Sequence, residues 1–180
     1  MRWVAVLGSA MVMAAAVAAN AQSPSPLDAL DFLLGEWQAQ GNGAPGSSVG
    51  SFTFARELQN HVIVRHSFSE AVKAAGQAGA RHDDLMVVHV DDAGAVRADY
   101  FDSEGHTIRY VVTAKAGHEA VFLSDSMESP SIYRLTYSLD PDGSLNGKFE
   151  IAFPDRPDLF AQYLAWTARR VASKDAPAHP

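Results

Sequence analysis

Apolar and polar residues alternate with a period of two over most of the chain beyond residue 48, the period of half-buried β-strands. This pattern predicts strands over residues 49–57, 60–69, 84–90, 95–102, 107–114, 119–125, 131–140, 144–153 and 160–171. In the second of these, Val62, Val64, His66 and Phe68 share one face, and His61, Ile63, Arg65 and Ser67 share the other. The joins carry the Gly, Pro and Asp chemistry of hairpins, as in Asp91-Asp92-Ala93-Gly94, Ser103-Glu104-Gly105 and Pro141-Asp142-Gly143. Residues 70–82 break the series, and their small residues and glycines predict a flexible flap or a marginal short helix.

Upstream the period changes. Leu27, Leu30, Leu33 and Leu34 recur at helical spacing, with Ser25 placed to cap the helix, Pro26 at its first position and Asp28 in its first turn. Gly35 gives the chain a way out of that helix into a strand bearing Trp37. This strand brings the count to ten, with no crossover helices between them. Ten sequential antiparallel strands fit an all-β up-and-down barrel, because closure removes exposed edges and hairpins are enough to build it. The N-terminal helix is expected to plug one end. A barrel of that size can hold more than its own side chains.

Residues 1–21 lie outside this pattern. A basic start, an apolar run over residues 3–17 and a small-residue site at Ala19-Asn20-Ala21 predict a secretory signal peptide. Residues 22–26 then form a tether, 27–172 the barrel and 173–180 a disordered tail. A bacterial periplasmic or secreted protein is the natural expectation. The chain has no cysteine, so neither a disulfide nor a cysteine-linked lipid contributes after export. The 159 residues from Gln22 onward suit one domain burying roughly 70% of its unfolded surface. Without Arg2 that portion carries 13 basic and 21 acidic side chains, a formal charge of −8, which repels nucleic acid and anionic membrane surfaces. No stretch beyond the leader is long and apolar enough to span a membrane.

A strand bearing Gly35-Glu36-Trp37 after a short helix, then a meander, then a last strand ending Trp166-Thr167-Ala168-Arg169-Arg170, resembles the calycin superfamily of lipocalin-like barrels. The middle segment Ala98-Asp99-Tyr100-Phe101-Asp102-Ser103-Glu104-Gly105-His106 is similar to exported bacterial proteins of the domain-of-unknown-function 1579 group. The resemblance implies a tryptophan at the closed end beneath an arginine of the final strand. Arg170 shares parity with Leu164 and Trp166 and is therefore preferred to Arg169. A guanidinium over an indole face is favourable where water is excluded, so Gly35, Trp37 and Arg170 are expected to be structural.

No chemical motif stands out. There is no Gly-x-Ser-x-Gly, the seven histidines are scattered without metal-ligand spacing, no metal is expected and catalytic residues stay unassigned. His66 and His89 alternate in step with apolar neighbours and could point inward, as core residues or as general acid or base. Haem barrels of the nitrobindin type, near this architecture, use a lumen histidine as axial ligand. Those proteins carry it late in the chain, where this one has none before His179, so no cofactor is expected and haem is a minor alternative. Arg97 and Asp99 alternate on one strand, with Arg109 or Arg134 able to lie opposite, either on a solvated face or as a ligand clamp.

These readings favour an exported barrel that binds a small, largely apolar molecule in its lumen and performs no chemistry. Phe54, Val64, His66, His89, Tyr100 and Arg109 are the candidate lumen residues. One alternative is a calycin-fold enzyme acting on a small organic substrate, with His66 or His89 as acid or base and Arg109 or Arg134 holding an anionic group. Another is an interaction module with a filled interior.

Overall fold

The computed structural model describes residues 24–41, 48–72, 78–115, 117–125 and 130–172, so the expected leader and tail lie outside the described residues. A 3-10 helix, Pro26–Leu33, precedes ten strands: β1 Gly35–Gly41, β2 Ser48–Glu57, β3 Val62–Val72, β4 Ala78–Val90 and β5 Val96–Asp102, then β6 Thr107–Lys115, β7 Glu119–Ser124, β8 Ile132–Leu139, β9 Leu145–Ala152 and β10 Ala161–Arg170. Each strand pairs antiparallel with its sequence neighbours, and β1 pairs with β10, so the sheet closes into a barrel compatible with a calycin-like fold. Among the described residues no helix is long and apolar enough to cross a membrane.

Three hairpins are built alike. In Asp91–Gly94, Asp102–Gly105 and Asp140–Gly143 the glycine N–H donates to the aspartate carbonyl at 2.9, 3.1 and 2.9 Å, and each glycine has a positive φ.

The helix begins with a capping box in which Ser25 accepts from the backbone and the Asp28 carboxylate accepts from Ser25 N–H at 2.7 Å. Its Leu27, Leu30, Phe32 and Leu33 join one buried cluster with Trp37, Phe54, Val88, Val112 and Tyr137 of the barrel. Helix ends leave carbonyls without intrahelical partners. Here they are met from the strands: Trp37 Nε1 donates to Leu33 O at 2.7 Å, Arg170 Nη2 to Phe32 O at 3.1 Å, and Arg170 Nη1 to Leu34 O. The guanidinium carbon lies 4.2 Å from the Trp37 ring. Gly35 permits this, because its φ is +116° and a Cβ there would sit 2.4 Å from Arg170 Nη1.

The structure corrects one expectation. Residues 70–72 and 78–82 are the outer reach of β3 and β4, paired through Ser69↔His82 and Glu70↔Arg81, while residues 73–77 of the expected flap or helix lie outside the described residues. Alanine and glycine favour strands poorly, yet here glycine is required: a Cβ on Gly79 would meet the Ala71 carbonyl oxygen at 2.2 Å.

Candidate functional site

Apart from irregularities at Glu70/Val72 and Gln162/Leu164, the register is continuous round the barrel and decides which residues face inward. Trp37 pairs with Phe52, Phe52 with Ser67, Ser67 with Asp84 and Asp84 with Asp102, so all of these share the inner face. The same parity continues through Tyr100, Ile108 and Tyr110 to Phe122, Tyr137, Gly147 and Trp166.

Of the six lumen candidates, Phe54 and Tyr100 take inner places. Val64, His66, His89 and Arg109 take outer ones, since they alternate with Ile63, Arg65, Val88 and Tyr110, whose parity is inner. The pairing of His66 with apolar neighbours is real, but Val64, Phe68 and Leu85 belong to an apolar stretch of the outer face. Both histidines thus lie on the outer face of the wall. His89 Nε2 lies 3.3 Å from Asp99, with Arg109 Nε 3.6 Å from the same carboxylate, in an outer polar hollow of about 350 Å³ that Arg97 and Asp91 also line. Arg134 is not opposite Asp99; it sits against Glu150 at 2.8 Å. A second hollow, of about 510 Å³, is lined mostly by residues of outer parity, among them His66, Phe68, Arg81 and Phe101.

The interior holds what the alternation did not single out. Arg65 is buried in the lumen, and its Nη1 donates to Asp84 Oδ1 at 2.9 Å, with both side chains under one-tenth exposed. Burial works against this charge, and the acidic groups around it, Tyr137, Asp84, Tyr100 and Tyr110, together raise the guanidinium above its usual range. Beside it lies an aromatic core in which Tyr137 touches Phe54, Phe52, Phe122 and Trp166 at ring separations of 5.6 to 6.2 Å. Arg65 Nε, the Tyr137 hydroxyl and Trp166 Nε1 are buried, and among the described residues no group accepts a hydrogen bond from them. Leaving such a donor unmet costs about 1–3 kcal/mol, so native interiors hold few. Burial pushes the Tyr137 phenol up to about 12 despite Arg65, so it stays protonated and able to donate. Trp166 gets its place from Gly147, where a Cβ would collide with the indole.

Toward the end of the barrel away from the helix the lining turns polar. His82 Nε2 lies 3.2 Å from the Tyr100 hydroxyl, and its Nδ1 lies 3.1 Å from Glu104 Oε1. Burial, then Asp84 and Asp102, raise the Tyr100 phenol well above its ordinary value. His82, Asp102 and Glu104 bring three ligand atoms within 4.8 Å of one another, the group among the described residues that could hold a metal ion. It forms across β4 and the turn after β5, so sequence spacing could not reveal it. Arg65 carried one faint signal, its parity with Ile63; Tyr137 and Trp166 carried none beyond being aromatic. No protein-family model matches the chain, and no curated protein is similar to it at a significant level.

Proposed function

We propose that this chain is an exported, calycin-like barrel of the kind represented by the domain-of-unknown-function 1579 group, closed at one end by its N-terminal helix. It binds a small, largely apolar molecule in the lumen without transforming it. The observation that carries this reading is the trio of buried donors, Arg65 Nε, Tyr137 hydroxyl and Trp166 Nε1, set around an aromatic core with no acceptor supplied by the described residues. An apolar body with one or two acceptors would satisfy them while burying hydrocarbon against Phe52, Phe122 and Trp166. The leader sequence, the −8 balance and the charged outer positions Asp99, Arg109 and Glu150 support an exported protein that works away from nucleic acid and lipid.

Carriage is favoured over catalysis by where the polar groups meet. Of the acid–base residues the alternation suggested, His89 meets Asp99 and Arg109 on the outer face, where Asp99 and Arg109 are 36% and 62% exposed and solvent screens them.

Titrating the mature protein with an apolar fluorescent probe bearing a carbonyl tests the proposal, with quenching of tryptophan emission as a second readout. Tyr137→Phe should weaken binding by about 1 kcal/mol, roughly fivefold, while leaving thermal stability unchanged or raised. Unchanged probe affinity together with lowered stability would mean that the hydroxyl serves folding and not a ligand.

A further inference from the structure

The electrostatic balance of the lumen narrows the ligand's chemistry. A buried arginine in a binding barrel ordinarily suggests a carboxylate or phosphate partner. Here the charge already has its partner: Arg65 Nη1 donates to Asp84 at 2.9 Å, and that carboxylate is as buried as the guanidinium. The Arg65 donor that is buried and unmet is Nε–H, which belongs to a pair that is already neutral. The other two unmet donors, the Tyr137 phenol and the Trp166 indole, carry no charge.

The approach to this interior is acidic. Asp84 and the nearly buried Asp102 face it from β4 and β5, and Glu104 stands at the following turn. Arg81 lies close by, but Asp83 takes its guanidinium at 2.6 Å. His82 and His106, the remaining basic groups there, lie against Glu104 and Asp102. An anion entering would meet this field and, once inside, add a third charge to a buried neutral pair, whereas a neutral acceptor takes the same three donors without bringing a charge out of water.

We infer that the lumen selects an uncharged acceptor, a ketone, aldehyde, ester or amide on an apolar body, and discriminates against the carboxylate of the same size. The inference rests on the lumen-binding reading proposed above. Donors are satisfied by a carbonyl without any charge being buried, and the Arg65–Asp84 pair is left intact.

The test compares three probes of equal chain length on the full mature protein by calorimetric titration at pH 7: a long-chain methyl ketone, the corresponding fatty acid and the corresponding alkane. The ketone should bind at least tenfold more tightly than either of the others. Asp84→Asn, which frees the arginine charge, should reverse the order of ketone and acid, with circular dichroism confirming the fold. Should that variant not fold, Tyr137→Phe supplies the second arm and should bring the ketone down toward the alkane. An acid that binds more tightly than the ketone in the wild type overturns the inference and leaves lumen binding standing. So does an alkane that matches the ketone, because the donors are then idle. Failure of all three probes to bind overturns the lumen-binding reading itself.

Discussion

Gly35 shows how much one side chain's absence can decide. Its φ of +116° is disfavoured for every residue with a Cβ, and the space a Cβ would need is filled by Arg170 Nη1. Gly35→Ala should therefore cost about 1–3 kcal/mol in backbone strain and also displace the guanidinium from the Phe32 and Leu34 carbonyls, lowering Tm by roughly 5–10 °C. Arg170→Lys keeps the charge but loses the planar stack on Trp37 and the forked donation, and thermal melting should show a smaller loss of about 1–2 kcal/mol. A Gly35→Ala variant as stable as the wild type would show that the clamp does not hold the helix to the strands.

Among the elements, the β3–β4 hairpin depends most on a single contact. Gly79 lies so close to the Ala71 carbonyl that even a methyl group would force the strands apart. Gly79→Val should unpair residues 70–72 and 79–81, seen as fast amide hydrogen exchange there, while Ile63–Arg65 and Met86–Val88 stay protected. Uniform exchange through the hairpin would contradict this. The same hairpin marks where reading by periodicity stops. All ten strands were legible, nine because alternation and Gly, Pro and Asp turn chemistry recur from Val49 to Arg170 on either side of residues 70–82, and β1 because Gly35 leads the chain out of the helix. The ends of β3 and β4 were not, because Ala71, Ala78, Gly79 and Ala80 offer no alternation to count. The lumen was legible only by halves. Period two groups Arg65 with Ile63 and Ser67, but nothing in the pattern says that the face carrying an arginine is the interior one. That is decided by closure, which places Asp84 opposite and makes the pair buried.

For the molecule as a whole, acid should unfold it in a defined window. The Asp142 carboxyl is held down to about 2, from 3.8, chiefly by the Ser144 hydroxyl and N–H, with Arg169 adding to the effect. The Glu150 carboxyl is likewise lowered, first by Arg134 and then by Lys148. Both folded values lie below the unfolded ones, so the unfolded chain binds more protons in between, and stability rises with pH across that interval. The contribution is complete above the unfolded values of 3.8 and 4.5 and is lost as pH falls toward 2. Urea midpoints measured from pH 5 to pH 2 should fall steadily, and Asp142→Asn should flatten the part below pH 4. A midpoint independent of pH in the wild type would show that these pairs contribute nothing to folding.

The central claim is that the interior is made for a guest, and comparing native with denaturing mass spectra of the protein purified from its own host tests it most directly. The account predicts an added mass in the native spectrum that vanishes on denaturation, belongs to an uncharged, largely apolar molecule bearing a carbonyl, and is reduced in the Tyr137→Phe protein. A native spectrum of the folded protein at its bare mass, with no occupancy gained on adding the ketone probe, would contradict it and leave the three donors to be explained by internal water alone.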